Sequence, residues 1–196
     1  MVGKGNSRYE ILASLPVYGP MYIPVTESGE AFYSEGFVVR FYRADGTNWV
    51  ANFQLGWTDF NEVQALENNT NLLIIAGGTC YLMDPEETRP TLVFGAAVAA
   101  IFKLTNGCFV LQNDVDLIVV ETNGTHWHSS RISWDGLKDL TVSGTIISGF
   151  SFDPINDVQE VPFSYNVDTR ELVGGSYQLY ELALSAKRLK PWWKFW

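Results

Sequence analysis

"GFVVRFYRADGTNW" occupies residues 36–49 and "DLIVVETNGTHW" residues 116–127. Each opens on β-branched and aromatic residues, passes through Asp-Gly or Asn-Gly, and leaves by a residue pair that ends in Trp. Runs of this composition favour strands. Asp-Gly or Asn-Gly between two of them is the strongest short-range sign of a hairpin and suits a type I′ turn. The GT-x-W stretches at 46–49 and 124–127 lie 78 positions apart, so the chain writes one hairpin twice. Downstream, Trp57 and Trp134 recur at nearly the same offset, each followed closely by a carboxylate, Asp59 and Asp135.

Two further segments interleave with these. "NLLIIAGGTCYLMDPEETRPTLVF" (71–94) reads as strand, Gly-Gly turn, strand, a turn from Asp84-Pro85 to Arg89-Pro90, and strand. "GTIISGFSFDPINDVQEVPFSYNVDT" (144–169) reads in the same order, with Asp153-Pro154 standing for Asp84-Pro85. Short alternating runs that end in polar turns precede them: "YIPVTESG", "VQALENN", "VAAIFKLTNG" and "LKDLTVSG". Units therefore start near residues 22, 63, 98 and 137, a spacing of 41, 35 and 39 residues.

A period of that size, with three or four short strands per unit, is the signature of radial blade architectures. One such sheet cannot cover both of its faces. Stacking sheets covers them, and ring closure removes the exposed ends. The expected fold is all-β: one repeat domain over residues 1–186, with units at 22–62, 63–97, 98–136 and 137–175, followed by a tail at 187–196. The GT-x-W stretches then fall in alternate units. The N-terminal "SRYEILASL" is expected to pair with the last unit and close the ring, and "GAAVAAIF" (95–102) to form an inner strand. The segment "SYQLYELALSA" (176–186) fits either a strand or a short helix. A β-sandwich of packed meanders gives similar spacing and is the alternative.

The passage "LLIIAGGTCYLMDPEE" (72–87) resembles the blades of β-propellers of the pyrroloquinoline-quinone-like kind, and in outline the resemblance covers residues 20–175. It implies a small four-bladed ring with ligands near the central channel. Residues 71–94 and 144–169 carry no Trp, so the Trp that marks a fixed place in such blades is absent from two units.

Composition narrows the function classes. With 46% apolar, 14% aromatic and 18% charged residues among 196, the chain is a globular protein able to bury a core. No apolar stretch is long enough to cross a membrane as a helix, and the first residues lack a signal-peptide core. Cys80 and Cys108 are the only cysteines, which excludes a disulfide framework and suits reduced thiols in the cytoplasm. The formal charge is −9, and because Lys187, Arg188, Lys190 and Lys194 crowd the last ten residues, the first 186 carry −13. An acidic body repels phosphate backbones, so nucleic acid is not an expected partner.

Candidate sites are few. His126 and His128 in "THWHSS" would share one face of a strand, where an H-x-H pair can hold a metal ion if Asp135 or Glu121 supplies a third ligand. The plainer reading makes them polar side chains opposite a core Trp127, and no metal or other cofactor is expected. Trp134 and Asp135, with Arg131 nearby, form a loop group that can stack on a sugar or a cation. Equally, Trp134 can pack between blades while Asp135-Gly136 turns the chain. The repeat of Trp-then-Asp at Trp57 favours the structural role. Nucleophile elbows and phosphate loops are absent from the sequence.

The tail "KRLKPWWKFW" (187–196) holds three of the seven Trp residues. Trp192, Trp193 and Trp196, interleaved with Lys190 and Lys194, suit fold-back or self-association first and weak contact with a membrane surface second. The sequence thus supports a non-catalytic interaction or ligand-binding protein whose acidic body meets a basic protein partner. The rival is a hydrolase using carboxylates or a metal at the His126/His128 strand.

Overall fold

The computed structural model describes residues 8–19, 21–153 and 160–178. Among these residues, sixteen strands form four sheets of four strands each. By packing, the chain divides into two compact units, Met1–Ala99 with Thr122–Gly124, and Ala100–Glu121 with Thr125–Trp196. Each unit holds two of the sheets.

In the first unit, β1 (Tyr9–Leu12), β2 (Ile23–Val25), β3 (Phe37–Tyr42) and β4 (Asn48–Phe53) lie in the order β1-β3-β4-β2. The N-terminal strand therefore joins the first sheet, pairing Tyr9 with Phe41 and Leu12 with Val38, rather than the last sheet. The "YIPVTESG" strand is not the first rung of a meander either: β2 runs parallel to β4, with Ile23 opposite Ala51. The eleven residues between β2 and β3 give the chain length enough to cross from one edge to the far side of β4. The second sheet, β5 (Glu62–Ala65), β6 (Leu72–Ala76), β7 (Thr79–Met83) and β8 (Leu92–Phe94), is an antiparallel meander.

Period-two side-chain alternation builds the core between these two sheets. Val39 and Phe41 on β3, Trp49, Ala51 and Phe53 on β4, Leu72, Ile74 and Ala76 on β6, and Tyr81 and Met83 on β7 form one buried cluster. Phe41 lies 4.9 Å from Trp49, and Phe53 lies 5.1 Å from Tyr81 across the sheets. The alternate residues of β6 and β7, Leu73, Ile75, Cys80 and Leu82, are buried as well, which explains why "LLIIA" is apolar at every position rather than alternating.

The second unit repeats this plan. Its sheets are the antiparallel meanders β9 (Ala100–Lys103), β10 (Phe109–Gln112), β11 (Leu117–Val120), β12 (His126–His128), and β13 (Leu137–Ser143), β14 (Ile146–Phe152), β15 (Glu160–Asn166), β16 (Glu171–Gly174). Val110, Leu117 and Val119 face Leu137, Ile147, Phe163 and Tyr165 in its core. β9 takes only the end of "GAAVAAIF", because residues 95–99 are irregular. Asp153 follows the second strand of its sheet whereas Asp84 follows the third, so those two Asp-Pro positions are not equivalent.

The repeated hairpins share a turn, but it is not type I′. Asp45 and Asn123 keep ordinary φ, and only Gly46 (φ 85°) and Gly124 (φ 88°) are left-handed. Arg43 N donates to Thr47 O at 2.9 Å, and Glu121 N to Thr125 O at 2.8 Å. This is a three-residue loop with the glycine at a bulge. Asp45 Oδ1 reinforces it by accepting from Thr47 N at 2.8 Å. The same pattern recurs at Leu104–Cys108, with Gly107 at φ 84° and Leu104 N donating to Cys108 O at 2.8 Å. A two-residue turn with both residues left-handed occurs at Gly77-Gly78 (φ 55° and 87°), joining β6 to β7.

The Trp after each GT-x turn reaches into the companion sheet. Trp49 is 5% exposed and its Nε1 donates to Pro85 O, beyond β7, at 2.9 Å. Trp127 lies 6.4 Å from Tyr165 of β15, and the Arg170 guanidinium sits 4.1 Å over its ring. In both units, then, a Trp on the fourth strand clasps the third-strand end of the companion sheet. The GT-x-W motif marks a two-sheet repeat.

Candidate functional site

Among the described residues β12 is an edge strand, hydrogen-bonded only to β11, with His126 opposite Val120 and His128 opposite Ile118. Because Trp127 turns toward Tyr165, its two neighbours share the opposite side. Their ring centres are 6.3 Å apart. His128 Nδ1 meets Asp116 Oδ2 at 2.8 Å, and Asp116 Oδ1 accepts from Asn113 Nδ2 at 2.6 Å within the turn joining β10 to β11. Burial first, and the neighbouring His128 second, hold the His126 imidazole below its ordinary value.

The expected third ligands take other roles. Glu121 accepts from Trp127 Nε1 at 3.2 Å, and Asp135 lines a cleft described below. The carboxylate that reaches the pair is Asp116, twelve residues before His128, which only the strand register identifies. Among the described residues no group of three or more His, Cys, Asp or Glu side chains is placed to hold a metal ion.

The linker from β12 to β13 carries the other candidates, and the fold does assemble them. Arg131 lies 5.0 Å over Trp134 and 4.9 Å over Tyr177, and the two rings are 4.9 Å apart. Arg131 Nε also donates to Ser133 O at 2.9 Å and Nη2 to Trp134 O at 3.1 Å, which fixes the guanidinium plane. Trp134 therefore stacks against a cation of its own chain. Tyr177 was not a sequence candidate; it lies 46 residues beyond Arg131, in helical backbone at the end of the described residues.

Three buried serines fasten this linker. Ser133 Oγ accepts from Phe152 N at 3.1 Å and from Asp135 N at 3.2 Å. Ser176 Oγ donates to Phe152 O at 2.8 Å and accepts from Trp134 N at 3.2 Å. Ser151 Oγ accepts from Ser176 N at 2.8 Å and donates to Val161 O at 3.0 Å. Buried hydroxyls so fully used hold neighbouring groups in place.

What they hold is a cleft of about 240 Å³ with Asp135, Lys138, Phe150, Phe152 and Glu160 in its wall. Phe150 and Phe152 are each 37% exposed although they sit on a strand. Lys138 Nζ bridges Glu160 at 2.7 Å and Asp139 at 3.7 Å. Asp139 is left-handed (φ 52°) where the β13–β14 register shifts, and that bulge turns its carboxylate toward Lys138.

The first unit carries a corresponding linker without the stack. Trp57 N donates to Ala96 O at 2.8 Å, yet the Trp57 side chain is 85% exposed. The expectation that the repeated Trp packs between sheets therefore fails at Trp57, and Gln54 stands three residues before it where Arg131 stands before Trp134. Nearby, Tyr81 hydroxyl donates to Gln54 O at 2.7 Å in a cleft that Glu27 also lines. Burial first, then the Glu27 charge, pushes the Tyr81 phenol up to about 12. A phenol that ionises later in the folded state loses stability as pH rises, because the unfolded chain releases its proton first. Wild-type stability is thus expected to fall between about pH 10 and pH 12 more steeply than that of Tyr81→Phe. Denaturant titrations of both proteins across that window check the difference.

Trp192, Trp193, Trp196, Lys190 and Lys194 lie outside the described residues. Neither Cys80 nor Cys108 is in a disulfide, and burial pushes the Cys80 thiol up, which makes it unreactive. None of the helices among the described residues is long and apolar enough to cross a membrane.

No protein-family model and no curated protein matches the sequence. Among solved structures, the chain is similar to the crystal structure of the tricorn protease at TM-score 0.35 and 11% identity, over 70% of this chain and 20% of that chain. The chain thus spans about a fifth of the structure it matches, and a likeness of that score bears on neither its activity nor its partners.

Proposed function

We propose that the chain is a non-catalytic binding protein that engages the basic surface of another protein at the cleft of its second unit. The observation that carries this reading is the wall of that cleft. Two half-exposed rings, Phe150 and Phe152, lie beside the carboxylates of Asp135 and Glu160. An apolar floor with a few fixed polar groups is the usual make-up of a binding site. Lys138 now neutralises Glu160 and Asp139, and a partner's Lys or Arg can take its place. The acidic balance of the chain, 22 carboxylates against 13 basic residues, adds long-range attraction. Such a partner is expected in the cytoplasm, where Cys80 and Cys108 stay reduced.

A polybasic Lys/Arg peptide titrated calorimetrically tests the reading. Binding is expected at 50 mM NaCl, at least about tenfold weaker at 300 mM as the charges are screened. It is expected to be weakened to a similar degree by the double substitution Asp135→Lys, Glu160→Lys. Affinity indifferent to salt, or to that charge reversal, overturns it.

A further inference from the structure

We infer that the edge of β12 is a binding site for a divalent transition-metal ion, with His126 and His128 as its two protein ligands, Asp116 orienting His128, and water filling the remaining positions. The inference is independent of the cleft. It begins from strand geometry: residues 126 and 128 flank Trp127, whose ring turns into the core, so both imidazoles project on the other side. Imidazole is a ligand of borderline ions such as Cu²⁺, Ni²⁺ and Zn²⁺.

Asp116 is the second observation. Its Oδ2 lies 2.8 Å from His128 Nδ1, and because a carboxylate only accepts, Nδ1 is the donor and Nε2 is the nitrogen that a metal ion would take. Metal-bound histidines almost always donate their other ring N–H to such a carboxylate. Asp116 is itself anchored, accepting from Asn113 Nδ2 at 2.6 Å, so the imidazole plane is set before any ion arrives. The His128 side chain is 46% exposed and reachable from solvent.

The spacing suits a shared ion. An imidazole nitrogen lies about 1.2 Å from its ring centre, so two rings bonded to one ion at about 2.0–2.1 Å have centres no more than about 6.5 Å apart. The observed separation is 6.3 Å. Closing to the 90° between neighbouring ligands of a tetragonal site brings the centres nearer by about 2 Å, which rotation of the His126 side chain about χ1 and χ2 supplies. His126 contributes one ring nitrogen.

Calorimetry of the untagged full chain with Cu²⁺, Ni²⁺ and Mg²⁺ is the test. One Cu²⁺ per chain is expected to bind, more tightly than Ni²⁺, with Mg²⁺ giving no heat. His126→Ala and His128→Gln are each expected to weaken Cu²⁺ binding at least about tenfold. Asp116→Asn is expected to weaken it about tenfold, with circular dichroism of all three variants unchanged. The electron paramagnetic resonance spectrum of the wild-type adduct is expected to show imidazole nitrogens, reduced in number in each histidine variant. Absence of stoichiometric binding, or Cu²⁺ bound equally well by the His126→Ala chain, overturns the proposal.

Discussion

Trp49→Ala is expected to lower the unfolding free energy by about 3–5 kcal/mol, and Trp127→Ala by only about 1–2 kcal/mol. The two tryptophans hold the same place in the repeat, after a GT-x turn and against the third-strand end of the companion sheet. Their environments differ. Trp49 is 5% exposed, packed 4.9 Å from Phe41, with its indole N–H donating to Pro85 O. Removing it leaves a large cavity between two sheets and an unpaired carbonyl, two separate penalties. Trp127 is half-buried and rests on Tyr165 beneath Arg170. Its loss exposes surface that water and the Arg170 side chain can fill. Urea titrations followed by circular dichroism, rather than by Trp fluorescence, give both values. Equal costs would mean that the two hairpins are not used as described.

Gly56→Ala is expected to cost about 3 kcal/mol or more, at the upper end for an added methyl group. The reason is space rather than φ. A Cβ there would lie 2.5 Å from Ala96 O, 2.5 Å from Thr79 Oγ1 and 2.6 Å from Gly77 O. Two of those atoms are backbone, Ala96 O accepting from Trp57 N and Gly77 O accepting from Thr58 N. Neither segment can yield without breaking its hydrogen bond to the connection between β4 and β5. Gly46→Ala separates this effect from strain: its Cβ meets nothing within 4 Å among the described residues, but φ is +85°. It should therefore cost only the left-handed penalty of about 1–2 kcal/mol. A Gly46 variant worse than the Gly56 variant would contradict the close approach.

The four sheets were legible because the chain punctuates them. "LLIIAGGTCYLM" declares two buried strands about a Gly-Gly turn, and the GT-x-W stretches declare two more hairpins. Strand pairing across the first sheet was not legible: nothing in "SRYEILASL" or "YIPVTESG" says that one strand pairs antiparallel with β3 and the other parallel with β4. Turn type was not legible because Asp-Gly serves both a type I′ turn and a loop with a glycine bulge, and the extra residue decides between them.

The candidate site divides in the same way. Arg131, Trp134 and Asp135 are neighbours in sequence and remain neighbours in the fold. Tyr177, Ser151 and Ser176 come to them from other strands and segments, carried by hydrogen bonds that no local pattern announces. His126 and His128 were visible as a pair, but Asp116 becomes their partner only through the β11–β12 register. Trp57 and Trp134, alike in sequence, differ in exposure because of what stands at matching positions in each unit.

Cross-strand contacts between backbone protons, read by nuclear magnetic resonance on the assigned chain, address the architecture most directly. Pairing is expected within residues 9–53, 62–94, 100–128 and 137–174, including the parallel contact of Ile23 with Ala51 and the antiparallel ones of Val39 with Ala51 and Val119 with Trp127. Strand pairing of the two GT-x-W hairpins with each other in one sheet, or a helical pattern of contacts along 72–83, would contradict the four-sheet repeat.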